Sequence, residues 1–184
     1  MKKRKVVSLL LAAAMLMTLF VGCGSGDSSD TGKGDDGALK IAFSQTGNQN
    51  NWKVTQTNDM KEKIEASGAK YLYTDAQDDT AKQISDIEDL ISQKPDYLVI
   101  SPREYEGLTP ALDAAREAGI PVILVDRAAA GEPGVDYLTL TCGDFVWEGQ
   151  QIANLVIEKF GDKPVNVVEL TGTPGGSVTI DRAK

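Results

Sequence analysis

The sequence predicts an α/β fold, a flavodoxin-like parallel sheet with helices on both faces. Three observations carry that expectation. From Leu39 onward, short apolar runs alternate with segments of helical periodicity. The runs are continuously apolar, as in "DYLVISP" and "IPVILVD", which marks strands of a parallel sheet covered on both sides. The segments between them begin and end on residues that start and stop helices. Right-handed crossovers then favour the strand order 2-1-3-4-5.

The elements follow in order. "LKIAFSQ" is the first strand, and residues 51–66 form a helix with Trp52, Val54, Met60 and Ile64 as its apolar positions and Gly68 as its stop. "AKYLYTD" is the second strand. Thr80 to Gln93 places Ala81, Ile84, Ile87, Leu90 and Ile91 at helical spacing. "DYLVISP" is the third strand, closed by Pro102. Thr109 reads as an N-cap with Pro110 at the first helical position, and "ALDAAREAG" ends at Gly119. "IPVILVD" is the fourth strand, and Asp136 to Cys142 the fifth. A helix follows, with Phe145, Ile152, Ala153, Val156 and Phe160 on its apolar side. "VNVVEL" is read as a sixth strand, and "TGTPGGSVTIDRAK" as a loop opening a further helix. Residues 143–184 are too few for an independent domain of ~50 residues or more. They are expected to be the incomplete start of a second lobe, or a segment that needs a partner to complete it.

The N-terminus has a different character. Lys2, Lys3, Arg4 and Lys5 precede an apolar stretch from Val6 to Val21, and Gly22 stands before a cut site, the layout of a secretory signal over residues 1–22. A membrane-spanning anchor is the alternative, but the stretch is shorter than the ~20 residues a spanning helix needs. "TLFVGCGSG" resembles a bacterial lipobox, in which Cys23 becomes the lipidated N-terminus; Phe20 stands where such motifs usually carry Leu. Residues 23–38 are small, polar and acidic and read as a flexible tether. Together these place the globular part outside the cell membrane, held by a lipid anchor. Cys142 then has no disulfide partner and reads as a small buried hydrophobe.

Charge and composition exclude several functions. The formal charge is −8, and removing the four cations of the signal leaves −12, against the basic footprint of a nucleic-acid binder. The chain has no histidine, which removes Ser-His-Asp and Cys-His catalysis and histidine metal ligation. No cysteine cluster offers a zinc site. No catalytic residue, cofactor or metal is expected.

Ligands of open α/β sheets bind beyond the carboxyl ends of the strands. The polar residues there are Thr46 to Lys53; Asp75, Gln77, Asp78 and Asp79; Pro102, Arg103 and Glu104; Asp126 and Arg127; and, after "VNVVEL", "TGTPGG" with Asp181 and Arg182. Carboxylates, amides and guanidinium groups at one edge suit a polyhydroxylated ligand, because a sugar hydroxyl both donates and accepts. Trp52 suits the C–H face of a sugar ring or the core equally. "GTPGG" lacks the Lys-Ser/Thr ending of a phosphate-binding loop. Asp126 and Arg127 are expected to point apart, as neighbours on an extended chain do, and to make separate contacts.

The segments "KIAFSQTGNQNNWKVTQTNDMKEKIE", "DAQDDTAKQISDIEDLISQKPDYLVISP", "AREAGIPVILVDR" and "VVELTGTPGGSVTIDR" resemble the type I periplasmic binding proteins, the sugar-binding proteins of ABC importers. The resemblance runs from Leu39 to Lys184 and is strongest to the galactofuranose-binding branch, then to ribose-binding proteins. It implies an N-terminal sugar-binding lobe over 39–142 and the beginning of the C-terminal lobe over 143–184. It also implies a monosaccharide ligand, pentose or hexose and furanose in form, and ABC permease subunits as partners. The residues it assigns to the ligand are Asn50, Trp52, Lys53, Asp126, Arg127 and Arg182, with Gln49 and Asn51 joining the first group. The galactofuranose branch usually carries Arg where Lys53 stands, and Lys cannot make the bidentate fork.

The implied mechanism is hinge closure of two lobes around the ligand, so a chain with little of the second lobe should bind sugar weakly. A sensory binding protein serving a chemoreceptor or histidine kinase would use the same cleft. A repressor domain would need a DNA-binding helix pair where the signal stands. An enzyme would need Asp75, Asp78 and Asp126 to gather round a divalent ion.

Overall fold

The first strand decides the architecture, because it lies between two others in a five-stranded parallel sheet of order β2-β1-β3-β4-β5. The computed structural model describes residues 37–184. The expected signal, the expected lipidation site Cys23 and all but the last two residues of the expected tether lie outside the described residues. The strands are β1 (Lys40–Gln45), β2 (Lys70–Asp75), β3 (Tyr97–Ile100), β4 (Val122–Val125) and β5 (Thr139–Thr141). The helices are α1 (Asn51–Ala66), α2 (Thr80–Ser92), α3 (Thr109–Glu117), α4 (Phe145–Phe160) and α5 (Ser177–Arg182). The α/β parallel sheet and its strand order are therefore as expected from the sequence.

Side chains alternate across each strand, and the two faces bury different sets. Ala42, Leu98, Ile100, Val122 and Leu124 point to one face, where they pack with Ile87 and Leu90 of α2 and Leu108, Ala111, Leu112 and Ala115 of α3. Phe43 and Val99 are buried on the opposite face, the side of α1 and its Ile64. Each fully buried Leu or Ile contributes about 1.5–3 kcal/mol by leaving water. Parallel pairing sets Ile41 beside Tyr71 and Tyr97, and Leu98 beside Val122. That register brings the carboxyl ends of β1, β3 and β4 to one edge.

Short polar side chains start the helices. Asn50 Oδ1 accepts from Lys53 N at 3.0 Å, Asp79 Oδ1 from Lys82 N at 2.7 Å, and Asp144 Oδ1 from Trp147 N at 2.9 Å. Each satisfies a donor that the first helical turn leaves without a partner.

Several local expectations need correction. Thr109 is the first helical residue of α3 rather than its N-cap; Leu108 holds that place with no side-chain cap, because its side chain is drawn into the core. The Thr109 hydroxyl instead donates to Glu106 O at 3.1 Å. Trp52 and Val54 lie off the packed face of α1, whose buried residues are Lys53 and Ile64. β5 is shorter than the segment from Asp136 to Cys142, and Asp136 instead accepts from Glu132 N and pairs with Arg116. Cys142 is exposed, not buried, because β5 is an edge strand and Cys142 sits just past its end.

The largest correction concerns residues 143–184. "VNVVEL" forms no strand, and Val168 and Leu170 are 88% and 94% exposed. A strand needs a neighbour for its backbone groups, and no described strand lies beside this one. α4 is amphipathic in sequence but has no buried residue; Ile152, Leu155 and Ile157 face solvent. What it does pack against is α5. A Cβ on Gly149 would run into the Arg182 backbone carbonyl, so glycine is required where the two helices cross.

Candidate functional site

The loop after β1 and the first turns of α1 form one wall of a cleft at the carboxyl edge of the sheet. The Asn50 cap fixes where α1 begins, and the helical turn that follows turns Lys53 inward. Lys53 is only 5% exposed. Its ammonium has no ion pair among the described residues. Burial, and then the positive charge of Arg127, hold its pKa below the ordinary lysine value, while Asp126, Asp78 and Asp75 pull the other way. Trp52, beside it, is 57% exposed and stands at the cleft wall rather than in the core.

The end of β4 forms the floor. Asp126 has φ of +67°, a region L-residues avoid. Arg127 N donates to Val125 O at 2.7 Å, closing a three-residue turn around Asp126, and Asp126 N donates to Thr141 O at 2.9 Å. This turn brings the two side chains together, with Arg127 Nε 3.6 Å from Asp126 Oδ2. The expectation that they point apart fails, because the chain is no longer extended at Asp126. Arg127 Nη1 donates to Arg103 O at 3.3 Å, and its Nε is buried without a hydrogen-bond partner. Burial raises the Asp126 pKa, opposed by Arg127, Lys53 and Arg182.

The opposite wall comes from α4 and α5. Arg182 gives Nε and Nη2 to Glu148 Oε2 at 3.0 and 2.6 Å, and its guanidinium lies 5.1 Å from the centre of the Phe145 ring. Two hydrogen bonds join this segment to the loops after β3 and β4: Tyr105 N donates to Gly175 O at 2.8 Å, and Ala128 N to Ser177 Oγ at 2.9 Å. The cleft between the walls is about 920 Å³.

Asn50, Trp52, Lys53, Asp126, Arg127 and Arg182 thus line one cleft. Gln49 does not: its amide folds back over Gly47. Asn51 is exposed at the start of α1, with its carbonyl accepting from Thr55. The other strand-end residues serve the scaffold. Asp75 accepts from Asn48 and from Gln77 N, Asp79 caps α2, and Arg103 bridges Asp78 and Glu104. Among the described residues no three acidic, cysteine or histidine side chains gather as a metal site, and Asp75, Asp78 and Asp126 do not converge. Gln56, Phe145 and Glu148 line the cleft and were missed. Gln56 was within reach of the sequence, lying three residues from Lys53 and so on the same helical face. Nothing in the sequence pointed to Glu148.

Residues 41–184 match the model of a family described as a periplasmic binding protein domain. The galactofuranose-binding protein YtfQ of Escherichia coli (strain K12) is 36% identical over 146 residues, which is 79% of this chain and 46% of that protein. The ribose import binding protein RbsB of Bacillus subtilis (strain 168) is 32% identical over 182 residues, 97% of this chain and 58% of that one. A solved protein from Mycobacterium smegmatis in complex with β-D-fucofuranose superposes with a TM-score of 0.74 at 35% identity, covering 79% of this chain and 49% of the other. The chain spans about half the length of the curated relatives it matches. The family binds solutes and is not a family of enzymes. A parallel sheet with a polar cleft at its carboxyl edge, together with these matches, shows that the chain belongs to the periplasmic binding protein family.

Proposed function

We propose that the cleft captures a monosaccharide in furanose form, and that the whole protein delivers it to an ABC permease while lipidated Cys23 holds it at the outer surface of the cell membrane. In this reading residues 39–142 are the sugar-binding lobe and residues 143–184 begin the lobe that closes over it. The observation that carries the reading is the convergence of Lys53, Asp126 and Arg127 beside Trp52, facing Arg182. Lys53 and Arg127 bring donors without acceptors, and Asp126 brings an acceptor without donors. A sugar hydroxyl needs both, and Trp52 adds an apolar surface for its C–H face. Relatives described as binding galactofuranose and ribose, and one solved with a fucofuranose, support the ligand class.

The test is an NMR titration of the chain with D-ribose, L-arabinose, D-galactose and D-fructose. Binding should be weak, about millimolar, because one wall of the cleft is slight. At least one sugar should shift the backbone signals of Lys53, Asp126 and Arg127, and Asp126→Asn should abolish the response. No shift with any sugar, or an unchanged response in the variant, refutes the reading.

A further inference from the structure

Gln56 is a cleft residue whose orientation is fixed by hydrogen bonds from within the fold. Its amide lies at the end of a chain of hydrogen bonds, half-buried except at Gln45 and Thr46, whose polarity can be followed atom by atom. At one end the carboxylate of Asp75, which only accepts, takes Asn48 Nδ2 at 3.1 Å, and that nitrogen also donates to Tyr73 OH at 2.6 Å. Asn48 therefore presents Oδ1 to Thr57, whose hydroxyl donates to it at 3.0 Å. Having given its proton, the Thr57 oxygen accepts from Gln45 Nε2 at 3.2 Å. The same nitrogen donates to Gln56 Oε1 at 2.9 Å. At the other end the backbone N–H of Thr46, which only donates, takes Gln45 Oε1 at 3.0 Å. Gln45 is fully buried, so flipping its amide would set nitrogen against the Thr46 N–H with no water to relieve it. Both ends of the chain thus impose one direction. The Gln56 oxygen is used inside the protein, among the described residues its Nε2 group donates to nothing, and Gln56 lines the cleft.

One turn earlier on the same face stands Lys53, nearly fully buried and likewise a donor without a partner ion. We propose that Gln56 is a specificity-determining residue of the cleft, a neutral donor aimed at the ligand by Gln45, and that the α1 wall of Lys53 and Gln56 selects ligands presenting an acceptor oxygen there. This rests on the sugar-binding reading and narrows it. A hydroxyl, ring or carboxylate oxygen satisfies the wall, whereas a deoxy position leaves buried donors unpaired. Asp126 supplies the acceptor on the floor, so the two surfaces read opposite polarities of the same ligand.

The test uses the full chain and two independent readouts. The first needs no ligand. Side-chain amide exchange followed by NMR should be slow for Gln45, whose NH₂ group is buried and bonded, and fast for Gln56. The reverse pattern overturns the proposal. The second is affinity for whichever of D-ribose, L-arabinose, D-galactose and D-fructose binds the native chain. Gln56→Glu can still accept from Gln45 but presents an acceptor to the cleft beside Lys53, and should weaken binding tenfold or more. Gln56→Met keeps the length, removes the donor, and should weaken it about tenfold. A Gln56→Glu chain that binds as tightly as the native overturns the proposal. If no sugar binds the native chain, the sugar reading falls and takes the ligand part of this proposal with it, while amide exchange still decides whether Gln45 orients Gln56.

Discussion

Replacing Asp126 separates the backbone of the cleft floor from its chemistry. Asp126 sits at φ +67° in a turn closed by the Arg127 N–H, so its conformation is imposed by its neighbours. Asp tolerates this region better than most residues. Alanine there costs about 1–2 kcal/mol of steric strain, which glycine does not incur. Glycine loses roughly 0.5–1 kcal/mol more chain entropy on folding, so at the midpoints of the two ranges Asp126→Gly should exceed Asp126→Ala in stability by about 0.75 kcal/mol. Both variants lose the carboxylate and leave Lys53 and Arg127 facing each other, so that cost cancels in the comparison. In a chain of this size the difference corresponds to roughly 1–4 °C in melting temperature. Calorimetric melting of the two variants at one pH measures it, and sugar titration should show binding lost in both. An alanine variant as stable as the glycine variant would refute the strain argument. Retained sugar binding in either would remove Asp126 from the site.

Two further outcomes follow from the cleft. Lys53 carries a buried charge, and its folded pKa lies below its unfolded value of 10.5. Between those two values the unfolded chain binds more protons, so this residue makes stability rise with pH through that window. Lys53→Met should therefore be more stable than the native chain near pH 7, with the gap closing as pH approaches 10.5; melting at a series of pH values checks this, and a constant gap refutes it. Gly149→Ala should push α5 off α4, because the new methyl meets the Arg182 carbonyl. Hydrogen exchange should speed up across Ser177–Arg182 while β1, β3 and β4 keep their protection; loss of protection throughout would mean that the crossing supports the whole fold.

How much of this was legible in the sequence depended on where each residue finds its partner. The sheet was legible because apolar runs such as "LVI" at Leu98–Ile100 bury themselves on neighbours that the chain itself supplies. Lys53, Asp126, Arg127 and Arg182 were legible as residues placed just past, or soon after, a strand or an expected strand. Gln49 and Asn51 carry the same amide as Asn50, but a one-residue step at a helix start turns a side chain away, and composition carries no such phase. The pairing of Asp126 with Arg127 depended on a positive φ that an aspartate does not announce. "VNVVEL" has every local property of a strand and forms none, because pairing is a property of two segments. Gln56 was hidden differently: its role comes from hydrogen-bond direction, relayed through Asn48, Thr57 and Gln45 from two elements of the fold.

The two hydrogen bonds joining Gly175 and Ser177 to Tyr105 and Ala128 set an equilibrium as well as a geometry. Each contributes about 1 kcal/mol net, so the polar part of this joint amounts to ~2 kcal/mol. Hydrogen bonding of that size alone leaves such a joint open about one time in thirty. A ligand would then not have to force its way in. It would meet a door already swinging, and its own contacts would decide how long the door stays shut.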